Sequence, residues 1–223
     1  VFTTRELSLG GDWQIEKKLE MQPLSESQIW KFICAYLPAQ SKNLWGQFQG
    51  RFGEFGKTPM FLLMLCSVFS HNNSQVPANL GLLFRSFTQT YSRYLKQDVP
   101  VDENSRHWWH KLLRELAWAM TTEKSKTEIM VAIPRQKAEA VLGKFLQGQV
   151  ADPIDCAIRW LEDLLEHHLI QVGDGNQISF RHQLFQEYYT AERLLLRLPG
   201  LSNHELQWNY LNYLKWTEVV ALM

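Results

Sequence analysis

Cysteine is scarce in this chain: Cys34, Cys66 and Cys156 are the only three among 223 residues. An odd, widely spaced set without a Cys-x-x-Cys pair excludes both a disulfide framework and a thiolate zinc site. The three fall within apolar helical patterns and read as buried thiols of a reducing compartment. Long apolar runs are also missing. None reaches the ~18 residues that a membrane helix needs, and no signal peptide opens the chain. A cytoplasmic location without membrane contact is the expectation. Net charge is absent as well, because 23 basic residues balance 23 acidic ones. A dedicated nucleic-acid binder usually carries a basic excess, so no nucleic-acid partner is expected. No Gly-x-Ser-x-Gly element, no His-Glu-x-x-His pair and no paired carboxylates stand out, so no catalytic residue is assigned.

What is present is apolar and aromatic. Hydrophobic residues make up 45% of the chain, with nine tryptophans and twelve phenylalanines, which is ample for a packed core and excludes disorder. The length suits one domain or two small ones. Val1-Phe2-Thr3-Thr4 reads as the tail of a strand, and Trp216 to Met223 stops in a helical pattern with no C-cap signal. Both ends are therefore expected to be cut from a longer protein.

Between them, helical signals dominate. Ser25 and Gln28 have capping-box spacing ahead of an Ile29, Phe32, Ile33, Tyr36, Leu37 stripe that ends at Pro38. A second helix is expected over Leu44–Phe55, a third from Pro59 through Met60–Phe69, and a fourth opened by Pro77 and running to about Leu95. Together they form a four-helix unit over 24–97. The polar stretch 97–105 is the best linker. A helix over Arg106–Thr121 follows, then one from Pro134 to about Leu146. Asp152-Pro153-Ile154-Asp155 starts a third, with Ile158, Leu161, Leu165 and Leu169 facing inward. Two strands, Leu169–Val172 and Gln177–Phe180, flank the glycine-rich turn Gly173-Asp174-Gly175-Asn176. Three helices followed by a hairpin is the winged-helix order, assigned here to 98–199. Ser202 and Glu205 cap a further helix and Trp216 begins another, so 200–223 could open a helical repeat. The expected fold class is mainly α: a four-helix domain, a winged-helix domain with a small β-hairpin, then the start of a helical repeat.

Phe180-Arg181-His182-Gln183-Leu184-Phe185-Gln186-Glu187-Tyr188-Tyr189-Thr190-Ala191 is the most informative stretch. Leu184, Tyr188, Ala191, Leu195 and Leu198 recur at helical spacing and predict a helix with one face on a core. His182 falls beside its first turn, where unpaired N–H groups and the dipole favour a phosphate oxygen. A histidine there can equally just satisfy a local backbone group. Three other patterns look like sites. Gly53-Glu54-Phe55-Gly56-Lys57-Thr58 looks like a phosphate-binding loop, but the spacing requires glycine at 51, where Arg51 stands, and no apolar strand precedes it. His107-x-x-His110 and Glu166-His167-His168 offer too few ligands for a metal, so no metal site is assigned.

The Phe-x-His…Gln-Glu-Tyr-Tyr-x-Ala pattern resembles the end of the winged-helix domain of NACHT-type STAND NTPases, the signalling ATPases related to NOD-like receptors. In that family the matching histidine contacts the β-phosphate of ADP and holds the protein closed, which implies the role for His182. Thr58-Pro59 resembles the helical-domain motif whose proline lies against adenine, although Lys57 stands where the family has glycine. Phe2-Thr3-Thr4-Arg5 resembles the sensor 1 strand, which implies that Arg5 faces the terminal phosphate and that 1–23 end the nucleotide-binding domain. The resemblance further implies HEAT- or TPR-like repeats after residue 200, ATP/ADP with magnesium as the parent's cofactor, a missing N-terminal P-loop domain as partner, and homo-oligomerisation on activation in signal transduction or defence. It implies no hydrolysis by this stretch alone.

Two other readings stand beside it. A winged-helix DNA-binding regulator would place Pro153–His168 in the major groove, yet that helix bears Asp155, Glu162, Asp163 and Glu166 against Arg159. A helical interaction adaptor without nucleotide control is the other.

Overall fold

The computed structural model describes residues 22–48, 52, 56–91, 103–166 and 169–223. Within them the chain is mainly helical with one small antiparallel sheet. Four helices come first: α1 (Glu26–Tyr36), α2 (Ser41–Phe48), α3 (Pro59–His71) and α4 (Leu80–Thr90). The capping box of α1 is formed, with Ser25 N donating to Gln28 Oε1 at 2.8 Å and Ser25 Oγ accepting from Gln28 N. Two starts differ from expectation. α2 begins at Ser41, ahead of Leu44, and residues 49–51 and 53–55 of the expected helix lie outside the described residues. α4 is opened by Asn79, not Pro77: the Asn79 amide oxygen accepts from Leu82 N at 2.8 Å. An amide can satisfy an orphan donor of the first turn, and a proline ring cannot. α3 is the most apolar element, with Phe61, Leu62, Leu65, Cys66 and Phe69 all buried.

The second group runs α5 (Glu103–Thr122), β1 (Ala132–Pro134), α6 (Arg135–Leu146), α7 (Pro153–Glu166), β2 (Ile170–Gly173), β3 (Gln177–Phe180) and α8 (Gln183–Arg197). Helices and hairpin fall in winged-helix order. β1, however, was expected only as polar loop and helix start. Its three residues are too few to show a strand period in sequence. It pairs with β3 alone, giving the order β1-β3-β2, and as an edge strand it tolerates Pro134. The hairpin closes at Gly173 opposite Gln177. Gly175 (φ 68°) and Asn176 (φ 57°) take the left-handed conformations that the tight reversal demands.

α7 turns differently from the predicted stripe. Cys156, Ala157, Trp160, Leu161 and Leu164 face inward, and Ile158 is 41% exposed. The Trp160 indole, stacked on Trp108 with centroids 6.2 Å apart, takes the interior because it removes more apolar area from water.

α8 lies across both groups. Phe84 of α4 meets Phe185 edge-on and stacks on Tyr188, each at 5.4 Å, and Phe87 approaches Phe185 at 6.1 Å. These pairs, with Arg85 bonded to Glu192, join α4 to α8 through side chains. One hydrophobic cluster therefore extends from Ile29 to Leu222. After α8 the Ser202–Glu205 capping box forms, but α9 (Asn203–Leu206) is a single turn, followed by a wide π turn and α10 (Thr217–Ala221). This segment folds back. Trp216 is buried against Tyr210 (4.8 Å) and Trp118 (5.7 Å), and Gly81 sits so close to the Leu222 carbonyl that a Cβ would overlap it. Among the described residues, no helix is long and apolar enough to cross a membrane.

Candidate functional site

His182 is held where β3 runs into α8. Arg181 N donates to Leu169 O at 3.0 Å, which pins the base of the hairpin just before it. As N-cap of α8, His182 has extended backbone (φ −138°, ψ 134°), and its carbonyl accepts from Phe185 N at 3.0 Å. Its Nδ1 accepts from Leu184 N at 3.3 Å. A neutral imidazole that accepts at Nδ1 carries its proton on Nε2, so the other nitrogen is a donor. The backbone-satisfying role thus falls to Nδ1, at the positive end of a helix.

The rest of the stretch from Phe180 to Ala191 is occupied with packing. Gln186, 2% exposed, donates from Nε2 to Met130 O at 3.0 Å and reaches Thr121 Oγ1 at 3.4 Å. Thr190 Oγ1 stands 3.1 Å from Thr121 Oγ1 and donates to Gln186 O. Gln183 Nε2 donates to Glu187 Oε1 at 2.8 Å. These contacts fix α8 against α5 and β1's approach, and thereby the position of His182.

Pro59 occupies the first turn of α3 and is exposed. Thr58 Oγ1 caps that helix by accepting from Phe61 N at 3.4 Å, and Lys57 O accepts from Leu24 N at 2.9 Å. The Thr58 hydroxyl is thus committed to a cap. Residues 53–55 of the loop-like glycine pattern lie outside the described residues, as does Arg5. Pro59 and His182 share a setting: each stands at the first turn of a helix that packs on α4.

A cleft of about 260 Å³ opens along the same α4 seam. Its walls are Arg85, Thr88 and Gln89 from α4, His110 and Arg114 from α5, and Tyr188, Tyr189 and Glu192 from α8. Arg85 Nη2 donates to Glu192 Oε1 at 2.6 Å, and the Tyr189 hydroxyl lies 3.3 Å from His110 Nδ1. Burial pushes the Tyr188 phenol up to about 12, with the nearby Glu192 charge adding to the effect. Tyr189 is raised well above the ordinary value for the same first reason, so both remain protonated donors at neutral pH. Sequence reasoning missed this cleft because Arg85 and Glu192 are 107 positions apart and no local spacing links them. One signal was available. Adjacent tyrosines lie roughly 100° apart on a helix, so two apolar-bodied neighbours call for packing on more than one side.

Comparison with known protein families and with curated proteins gives no match.

Proposed function

We propose that this chain is the regulatory part of a NACHT-type ATP/ADP switch protein acting in signal transduction or defence. The observation that carries the reading is His182, N-cap of the helix that follows the hairpin of a winged-helix arrangement, with the surrounding Phe-x-His…Gln-Glu-Tyr-Tyr pattern. The residues fit an adenine nucleotide. A histidine at a helix start suits a phosphate oxygen, and the exposed Pro59 ring at the start of α3 offers an apolar face for adenine. Arg5 would meet the terminal phosphate. ADP, with magnesium in the parent protein, would then bridge a P-loop domain to Pro59 and His182 and favour the closed state that it binds better. Exchange for ATP would release the winged helix and permit homo-oligomerisation. Cytoplasmic location belongs to the same proposal.

ADP-dependent thermal stabilisation of a longer chain carrying the nucleotide-binding domain, with and without His182→Ala, tests it. A shift of several degrees that shrinks in the variant is the expected result. No shift in either protein makes a helical interaction adaptor the better description. A DNA-binding role finds little support: on α7 Asp155 pairs with Arg159 at 2.7 Å, and Glu162 pairs with Arg135, so among the described residues this helix presents acids and paired arginines to phosphates. Tight binding in a low-salt gel shift would reverse that judgement.

A further inference from the structure

We propose that residues 203–223 form a releasable strap across α4, α5 and α8, latched by Lys215. The latch answers a shortfall at the end of α5. That helix carries no basic residue in its last turn, where the final carbonyls lack intrahelical partners and the dipole is negative. Ala119 O accepts from Glu123 N at 3.1 Å and Met120 O from Met130 N at 2.9 Å. Thr121 O is met from a distant part of the chain: Lys215 Nζ donates to it at 2.8 Å and to Ser125 O at 2.6 Å. The acids of the adjoining loop are taken up elsewhere, Glu123 by Lys137 and Glu128 by Lys124. Burial lowers the Lys215 ammonium from its ordinary value, in keeping with a charge held by carbonyls and not by a carboxylate. One lysine thus supplies the cation that α5 lacks and ties the following loop to the strap.

The strap is gripped a second time at α4. A Cβ on Gly81 would overlap the Leu222 carbonyl, so glycine lets the strap lie directly on that helix. Between the two grips Tyr210, Trp216, Val219 and Leu222 are buried. Trp216 packs on Trp118 of α5 with centroids 5.7 Å apart, and α10 rests on α8.

The strap is poorly able to keep its shape unaided. Its parts are α9 of four residues, a π turn of five, a 3-10 turn of three and α10 of five. Helical pieces this short are unstable alone, so their order depends on docking. The outer side is already wet, Leu214 being 92% exposed, and lifting away loses only the inner contacts. Two grips on one short segment make a unit that docks or lifts as a whole. Removing the Lys215 charge therefore releases it. The device uses neither His182 nor Pro59 and stands apart from the nucleotide reading.

Native-state hydrogen exchange of this chain, read by NMR, tests the device. The reporters are the Trp216 amide, bonded to Tyr213 O beside the Lys215 grip, and the Leu222 amide, bonded to Glu218 O beside the Gly81 grip. Both should exchange faster than the Leu65 amide inside α3, through a local opening. Lys215→Met keeps the apolar stem and removes the charge. It should speed both reporters about tenfold or more, as loss of a charge-assisted hydrogen bond implies, and leave Leu65 unchanged. Lys215→Arg retains a cationic donor and should stay near wild type. Gly81→Ala favours α4 itself but displaces Leu222, and should also speed both reporters. Reporters that exchange no faster than Leu65 in the wild type would overturn the proposal. So would either variant speeding only the reporter beside it, or Lys215→Arg matching Lys215→Met. If Lys215→Met fails to fold by circular dichroism, the effect of Gly81→Ala on the distant Trp216 amide decides.

Discussion

The interior between α1 and α4 and the interior around α5 and α8 are equally closed to water but are built from different chemistry. In the first, Ile33, Leu44, Leu62, Leu65, Phe69 and Leu83 have no exposure, and polar groups enter chiefly through the Ser67–Tyr36 contact at 3.1 Å. In the second, a polar thread runs through the hydrocarbon: Thr121 to Thr190, Gln186 to Met130 O, His110 to Tyr189. Lys215 extends it by donating to Thr121 O at 2.8 Å and Ser125 O at 2.6 Å. Dispersion and burial are non-directional, so a hydrocarbon core specifies volume more than register. Hydrogen bonds are directional and costly to leave unmade, so α8 has one favourable setting against α5. The helix that carries His182 at its start is held by the directional kind.

The sharpest test of this contrast is Leu65→Ala, which opens a cavity in the dry region. It should cost about 2–5 kcal/mol in denaturant unfolding. Gln186→Ala should cost less, about 1–3 kcal/mol, mainly through the unsatisfied Met130 carbonyl. If Gln186→Leu proves neutral and the amide spectrum of α8 is unchanged, hydrogen bonding does not fix α8 and the contrast fails.

A smaller effect concerns alkaline pH and touches both regions. Burial raises the Cys66 thiol from its ordinary 9.0 to about 12, and the Tyr188 and Tyr91 phenols from 10.0 to about 12. The folded chain holds these protons more tightly than the unfolded one. Stability is therefore intact below about pH 9 and falls as pH rises through the window up to 12, with Cys66 contributing first and the tyrosines from about pH 10. Cys66→Ala should flatten the profile between pH 9 and 10 when unfolding midpoints are compared with wild type. Parallel profiles would show that Cys66 is not desolvated as its burial implies.

Much of the architecture was legible residue by residue. Ser25–Gln28 and Ser202–Glu205 form the capping boxes that their spacing announced, and the glycine-rich turn closes the hairpin. Capping and turn chemistry act over three or four residues, so sequence proximity suffices to read them. β1 was invisible because a three-residue edge strand takes its identity from β3, some 45 residues later (Ala132 opposite Ser179). Ile158 was misplaced because period alone cannot tell which of two apolar stripes meets the larger neighbour, and here Trp108 selects Trp160. Of the candidate site, His182 and Pro59 were legible as helix-start residues, and Arg5 lies outside the described residues.

The sequence by itself determined the helical class, the hairpin and the chemical type of each helix start, because these follow from local propensity, capping and periodicity. Tertiary structure alone decided that α8 is enclosed by α4 and α5, that Arg85 meets Glu192, and that Arg114 lines a cleft beside them. Those outcomes depend on contacts between residues tens to a hundred positions apart, and such contacts exist only once the chain has collapsed around a shared core.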